Sequence, residues 1–192
     1  MSTYLIAGLG NPDLEYMGTR HNIGFDVVDS LVGKHGGRYV SERLAEVAEL
    51  KWKAIRMTCI KPTTYVNLSG RAVKYWMDRK KIPIERILVV ADESALPITK
   101  LRVRPGGSDA GHNGLKSIHA ALNSNTYPRL RFGIGSDFPK GRQADFVLGR
   151  WKESELELVK LKIEKSVEII ENFAERGIEW VMNQYNKLEF TL

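Results

Sequence analysis

The chain has 192 residues, 43% hydrophobic and 27% charged, which suits one compact domain, or at most two small ones, with a sizeable core. Lys and Arg outnumber Asp and Glu by 29 to 23, a surplus compatible with a polyanionic partner but not diagnostic of one. A single cysteine, Cys59, excludes intramolecular disulfides and Cys-based zinc knuckles. No basic leader opens the sequence and no stretch reaches membrane-spanning length, so no membrane association is expected and the cytosol is the expected location.

Residues 3–9 are a short apolar run ended by Gly10, Asn11 and Pro12, which predicts a buried strand followed by a turn. Residues 22–32 carry Ile23, Val27, Val28 and Leu31 at helical spacing, and Gly36 with Gly37 stops that helix. Strands are expected at 46–50 and 54–60, the second ended by Pro62 and holding Cys59 as a buried structural thiol. A helix over 69–79 places Val73, Trp76 and Met77 on one face. Residues 87–91 are apolar without interruption, as in a strand buried on both faces, and Asp92 stands at its carboxyl end. An alternating strand over 101–104 leads into the glycine-rich segment 106–114. A helix over 115–122, a strand over 129–134 and a long amphipathic helix over 153–176 complete the pattern. Strands interleaved with helices, without repeat or linker, predict a single α/β domain over residues 1–192. Its core is a twisted mixed, largely parallel β-sheet flanked by helices, with the long C-terminal amphipathic helix against it.

Ligand sites in such sheets lie beyond the carboxyl ends of the strands. The polar residues expected there are Asn11, the segment 63–67, Asp92, the Arg20-His21-Asn22 run and the Gly111-His112-Asn113-Gly114 run. This set holds one acid, two histidines and several amides, and no G-x-S-x-G nucleophile signature accompanies it. The GLGNPD segment, residues 8–13, begins like a dinucleotide loop, but Asp13 stands where the third glycine belongs. No G-x-x-x-x-G-K-[ST] occurs, and tight turns alone explain the glycines of 106–114. A lone histidine near a helix start is more often a packing or capping residue than a base. Convergence changes that weighting: a histidine, an acid able to fix its tautomer and neutral amide donors are what water-mediated ester cleavage requires.

Three long motifs in order make the sequence recognisable. LIAGLGNPDLEYMGTRHNIGFDVVD (residues 5–29), KPTTYVNLSG (61–70) and PGGSDAGHNGLKSI (105–118) resemble the signatures of the bacterial peptidyl-tRNA hydrolase family. YPRLRFGIG (127–135) and DFVLGRW (145–151) continue the resemblance, which weakens in the C-terminal helix. It implies a cofactor-free and metal-free esterase that releases peptide and tRNA, with His21 as catalytic base and Asp92 as its orienting acid. Asn11, Asn67 and Asn113 match the family's active-site amides, Tyr16 a tyrosine lining the cleft, and Gly111 with His112 a loop contacting the substrate. Three departures stand out. Ala95 replaces the second acid of a D-E-L-D-L-P pattern, Val66 replaces a usual methionine, and Asp109 adds a negative charge to the glycine loop.

The implied partner is peptidyl-tRNA, held by its 3′ CCA end and acceptor stem, and the implied state is a monomer without an obligate protein partner. Lys100, Arg102 and Arg104 alternate, which puts them on one face of a strand, and Arg129 with Arg131 do the same on another. The resemblance assigns Arg102 and Arg104 to the tRNA 5′ phosphate, with Arg131 as a weaker candidate for the acceptor stem. The Glu-rich C-terminal helix would repel RNA and is expected over the sheet or cleft. Two rivals belong to other classes. One is a metallo-aminopeptidase-like enzyme with His21, Asp92, Glu93 and His112 as ligands; the other is a catalytically silent RNA-binding relative.

Overall fold

The amino-terminal apolar run becomes β1 (Ser2–Gly8), the central strand of a seven-stranded sheet in this computed structural model, which describes residues 1–191. The other strands are β2 (Val40–Glu42), β3 (Ala45–Trp52), β4 (Ile55–Pro62), β5 (Ile87–Glu93), β6 (Leu101–Arg104) and β7 (Arg129–Gly133). Their order is β2-β3-β4-β1-β5-β7-β6. The four inner strands β4, β1, β5 and β7 run parallel. The outer pairings β2–β3, β3–β4 and β6–β7 are antiparallel. The sheet is therefore mixed with a parallel centre, as the interleaved pattern predicts.

Helices cover both faces. On one lie α1 (Ile23–Lys34), α5 (Leu156–Arg176) and α6 (Ile178–Tyr185), packed over Ile6, Met57, Leu88, Val90 and Phe132. On the other lie α2 (Ser69–Arg79) and α3 (Asn113–Leu122), packed over Leu5, Ala7, Ile60, Val89 and Ala91. The short α4 (Gln143–Val147) sits at the rim. β5 sends Leu88 and Val90 into one core and Ile87, Val89 and Ala91 into the other, which explains its unbroken apolar run. Fully burying each such side chain contributes roughly 1.5–3 kcal/mol.

The close seating of α1 sets the site's position. A Cβ on Gly8 would lie 2.2 Å from Gly24 O, and one on Gly24 would lie 2.4 Å from Val90 O. Only glycine at both positions lets the start of α1 approach the ends of β1 and β5 so closely. The 3₁₀ turn Arg20–Asn22 just before α1 is thereby held over those strand ends.

Three elements lie outside what the sequence pattern predicts. β2 is a three-residue, wholly exposed edge strand without an apolar period. α4 is five residues long and buries nothing completely. α6 follows Gly177, whose φ of 91° ends α5, and it packs Val181 and Tyr185 into the core. The predicted helix over 153–176 opens instead as a 3₁₀ turn, Glu153–Glu155, before α5 begins at Leu156. This C-terminal helix covers the sheet, packing directly on it beside α1, rather than the cleft. No helix among the described residues is long and apolar enough to cross a membrane.

Candidate active site

β5 runs two residues past its predicted end, so that Asp92 and Glu93 belong to the strand and are buried. Above them opens a cleft of about 350 Å³ lined by Asn11, His21, Val66, Asp92, His112 and Asn113, among others. Loops after β1 and β5, the turn before α1 and the start of α3 thus converge at the carboxyl ends of the parallel strands.

Asp92 is the hub. His21 Nδ1 lies 3.0 Å from both carboxylate oxygens, and His112 Nε2 lies 2.9 Å from Oδ1. The two imidazole centroids are 4.9 Å apart. Burial alone would raise the Asp92 carboxyl, but the two imidazoles more than offset it and hold the group well below the usual carboxylate range. For His21, burial disfavours the imidazolium, yet the charge and hydrogen bond of Asp92 prevail and raise its pKa above the ordinary 6.5. With Nδ1 committed to Asp92, Nε2 is the nitrogen left for the cleft.

The turn that carries His21 is clamped by Arg20, which the sequence places in the polar Arg20-His21-Asn22 run without indicating this role. Arg20 is 5% exposed, stacks 4.2 Å over the Phe146 ring, donates to Phe146 O and pairs with Glu155 at 3.3 Å. No periodicity or motif rule picks an arginine for this role; only the packing of α4 shows it.

The amides are placed differently from one another. Asn11 is buried, and its Oδ1 accepts the Val66 N–H at 2.9 Å. Its backbone exchanges two hydrogen bonds with the Asn22 side chain, at 2.8 and 2.9 Å. Asn113 is exposed at the cleft edge. Asn67 is exposed on the 3₁₀ turn Val66–Leu68, and neither it nor the half-buried Tyr16 lines the cleft wall. The resemblance implies that His112 meets substrate through its loop; its ring instead reaches Asp92, a partnership that no spacing in the sequence signals. The departures also find places. Asp109 folds back on its own turn, with Oδ1 accepting the Gly111 N–H at 2.8 Å and O accepting the His112 N–H at 2.8 Å. Ala95, in place of an acid, leaves its backbone N–H donating to Glu93 Oε1 at 3.3 Å.

A second depression adjoins the cleft, lined by Glu93, Arg102, Arg104, Gly107, Ala110 and Arg131 among others. Arg102 is exposed and Arg104 half-buried, both on the outer face of β6, while Leu101 and Val103 point inward. Arg131 is tied to Glu93 at 2.9 Å and to Ser108 O at 2.7 Å. Two expected members of the basic face are already engaged within the protein. Lys100 pairs with Glu189, and Arg129 is 1% exposed, its guanidinium spent on Ser108 O, Asn125 O and Tyr127 O. Arg129 shares the face of Arg131, as the alternation predicts, and both reach Ser108 O, but Arg129 is buried there instead of solvated.

A metal reading meets a specific obstacle. His21, Asp92 and His112 offer ligand atoms within 4.8 Å of one another. Yet His112 Nδ1 accepts the backbone N–H groups of Gly114 and Leu115, so the ring's hydrogen sits on Nε2, the atom that would have to bind the metal. The three side chains form a hydrogen-bonded acid–base set, not an open ligand set.

Comparison with known proteins gives the family. The family model described as peptidyl-tRNA hydrolase matches residues 5–191. The chain belongs to the peptidyl-tRNA hydrolase family. It is 51% identical over 183 residues to the peptidyl-tRNA hydrolase of Parabacteroides distasonis, covering 95% of this chain and 98% of that one. It is 50% identical to that of Porphyromonas gingivalis, covering 95% and 99%. The crystal structure of peptidyl-tRNA hydrolase from Acinetobacter baumannii superposes with a TM-score of 0.92 at 31% identity, covering 97% of this chain and 96% of that one. As a member of the peptidyl-tRNA hydrolase family the chain is an enzyme, a hydrolase, with the family's α/β fold along almost its whole length.

Proposed function

We propose that this enzyme hydrolyses the ester bond of peptidyl-tRNA by direct attack of water, with His21 as general base. The observation that carries the reading is the His21–Asp92 pair at the floor of the cleft, with its free Nε2 facing the space that Asn11 and Asn113 also line. Water attacks the ester carbonyl and gives a proton to His21 Nε2, and Asp92 stabilises the imidazolium that forms. Collapse of the tetrahedral intermediate breaks the bond to the ribose oxygen, which takes the proton back from His21. The Asn11 amide, and Asn113 at the rim, donate toward the water or the oxyanion. Asn67 and Tyr16, exposed and half-buried outside the cleft wall, fit contacts with parts of the substrate that extend beyond it: the peptide for Asn67 and the 3′ CCA end for Tyr16.

Arg102 and Arg104 would hold the tRNA 5′ phosphate, with Arg131 beside them toward the acceptor stem. Such contacts position an RNA without reading its bases, which suits an enzyme that accepts many tRNAs. We take the enzyme to work as a cytoplasmic monomer. The deciding assay is release of free tRNA from N-acetyl-aminoacyl-tRNA, beside the unacetylated ester. Cleavage of the blocked ester with sparing of the free one is expected. Equal cleavage of both would replace the proposal with a general tRNA esterase.

A further inference from the structure

The surroundings of His112 dictate where its proton is. Nδ1 accepts the backbone N–H of Gly114 at 3.0 Å and that of Leu115 at 3.3 Å, capping the start of α3. A backbone N–H can only donate, so Nδ1 must keep its lone pair. The ring hydrogen is then on Nε2 and donates to Asp92 Oδ1 at 2.9 Å. Protonating Nδ1 would set an N–H against two others at the positive end of a helix dipole and strand both backbone donors. The loop holds the ring in place as well, because His112 N donates to Asp109 O and His112 O accepts from Lys116 N.

We propose that His112 is a positioning residue, fixed as the neutral Nε2–H tautomer, whose hydrogen bond occupies one oxygen of Asp92 and so sets how basic His21 is. The proposal rests on the reading of His21 as the base. Asp92 must divide its acceptor capacity between two donors, and Oδ1 is shared by both imidazoles. A carboxylate already accepting a neutral hydrogen bond stabilises an imidazolium less than an undivided one does. His21 is thereby kept basic enough to take a proton from water and weak enough to return it to the leaving oxygen. The same bond stops the carboxylate from rotating, so the plane of the His21 ring is fixed from α3 as well as from β5. The other charged groups near His21 are already partnered: Glu93 by Arg131, and Arg20 by Glu155.

Two measurements on the full chain test this. Two-bond nitrogen–proton correlation spectra over about pH 5 to 8 report each imidazole's tautomer, and this readout does not depend on activity. The expected result is a His112 with bare Nδ1 and its hydrogen on Nε2, beside a His21 bonded to Asp92 through Nδ1. A doubly protonated His112 in that range, or the opposite tautomer, overturns the proposal while leaving the role of His21 to its own test. His112→Asn keeps an oxygen able to cap α3 but falls short of Asp92. It should raise the His21 pKa by about half a unit or more, roughly threefold in proton affinity. The acidic limb of kcat/KM should move upward with it. A lower plateau with the limb unmoved would mean that His112 only orders its loop, and the proposal fails. If the variant does not fold, the wild-type tautomer decides alone.

Discussion

The Val66 backbone N–H donates to Asn11 Oδ1 at 2.9 Å, and this one bond decides which end of the Asn11 amide is available to the cleft. With the oxygen committed, the Nδ2 group is a fixed donor. Asn11→Asp preserves shape and the bond to Val66, but it removes the donor and adds negative charge where an oxyanion develops. Turnover should fall by about 10²–10³ with the fold intact. A folded Asn11→Asp protein of near-normal turnover would exclude Asn11 from the reacting centre.

Asp92 holds the His21 pKa above 6.5, and a general base acts only when unprotonated. Activity should therefore fall as pH drops through a midpoint above 6.5. Asp92→Asn removes the stabilising charge and leaves burial dominant, so the midpoint should move downward while the plateau drops. His21→Ala should remove about 10²–10⁴ of turnover, the larger loss, and still bind tRNA. A pH–rate profile of Asp92→Asn with an unmoved midpoint would show that Asp92 does not set the basicity of His21.

Regular spacing made most of the fold legible. β6 and α2 lie where alternation and the 3.6-residue period put them, because each buries one face against the sheet. The exposed edge strand β2 and the short α4 have no such period and left no trace. At the site, the motifs named His21, Asp92, Asn11 and Asn113, and these four meet in one cleft. The bond from His112 to Asp92 and the clamp of Arg20 on α4 join residues 20 and 126 positions apart. Such pairings depend on three-dimensional packing that no local pattern encodes. Arg129 shows the converse, an alternating charge that the sheet buries.

Arg102 and Arg104 have no carboxylate partner among the described residues, whereas Arg131 is bound to Glu93 and Ser108 O. Replacing both Arg102 and Arg104 by Ala should raise KM for full-length peptidyl-tRNA and flatten its salt dependence. The log–log slope should shrink by roughly 0.7–0.9 for each phosphate no longer neutralised. A short substrate without the acceptor stem should hardly notice. Arg131→Ala, which releases Glu93 beside Asp92, should lower kcat on both substrates. Equal damage to both substrate lengths from the Arg102/Arg104 pair would show that these arginines serve the fold and not phosphate binding.

Lys162 offers a stability test away from the cleft. It is fully buried on α5, and its Nζ donates to Ile98 O at 2.6 Å and Gly133 O at 2.7 Å, 4.0 Å from the Phe132 centroid. No carboxylate faces it among the described residues, and burial pushes its pKa down to about 7 from 10.5. The folded state therefore releases this proton more readily than the unfolded chain does. Between about pH 7 and pH 10 the unfolded state binds more protons, so this group's contribution to stability rises with pH across that window. Below it, the penalty for burying the charge is present in full. A neutral amine still has two N–H groups for the two carbonyls. Lys162→Met removes the titration and takes a donor from each carbonyl, at a cost of about 1–3 kcal/mol for each one left unpaired. Denaturant unfolding of the two proteins should then show wild type gaining on Lys162→Met as pH is raised from 7 to 10. A difference that stays constant across that window would mean Lys162 keeps its charge when folded, with the two carbonyls acting as ligands to an ammonium.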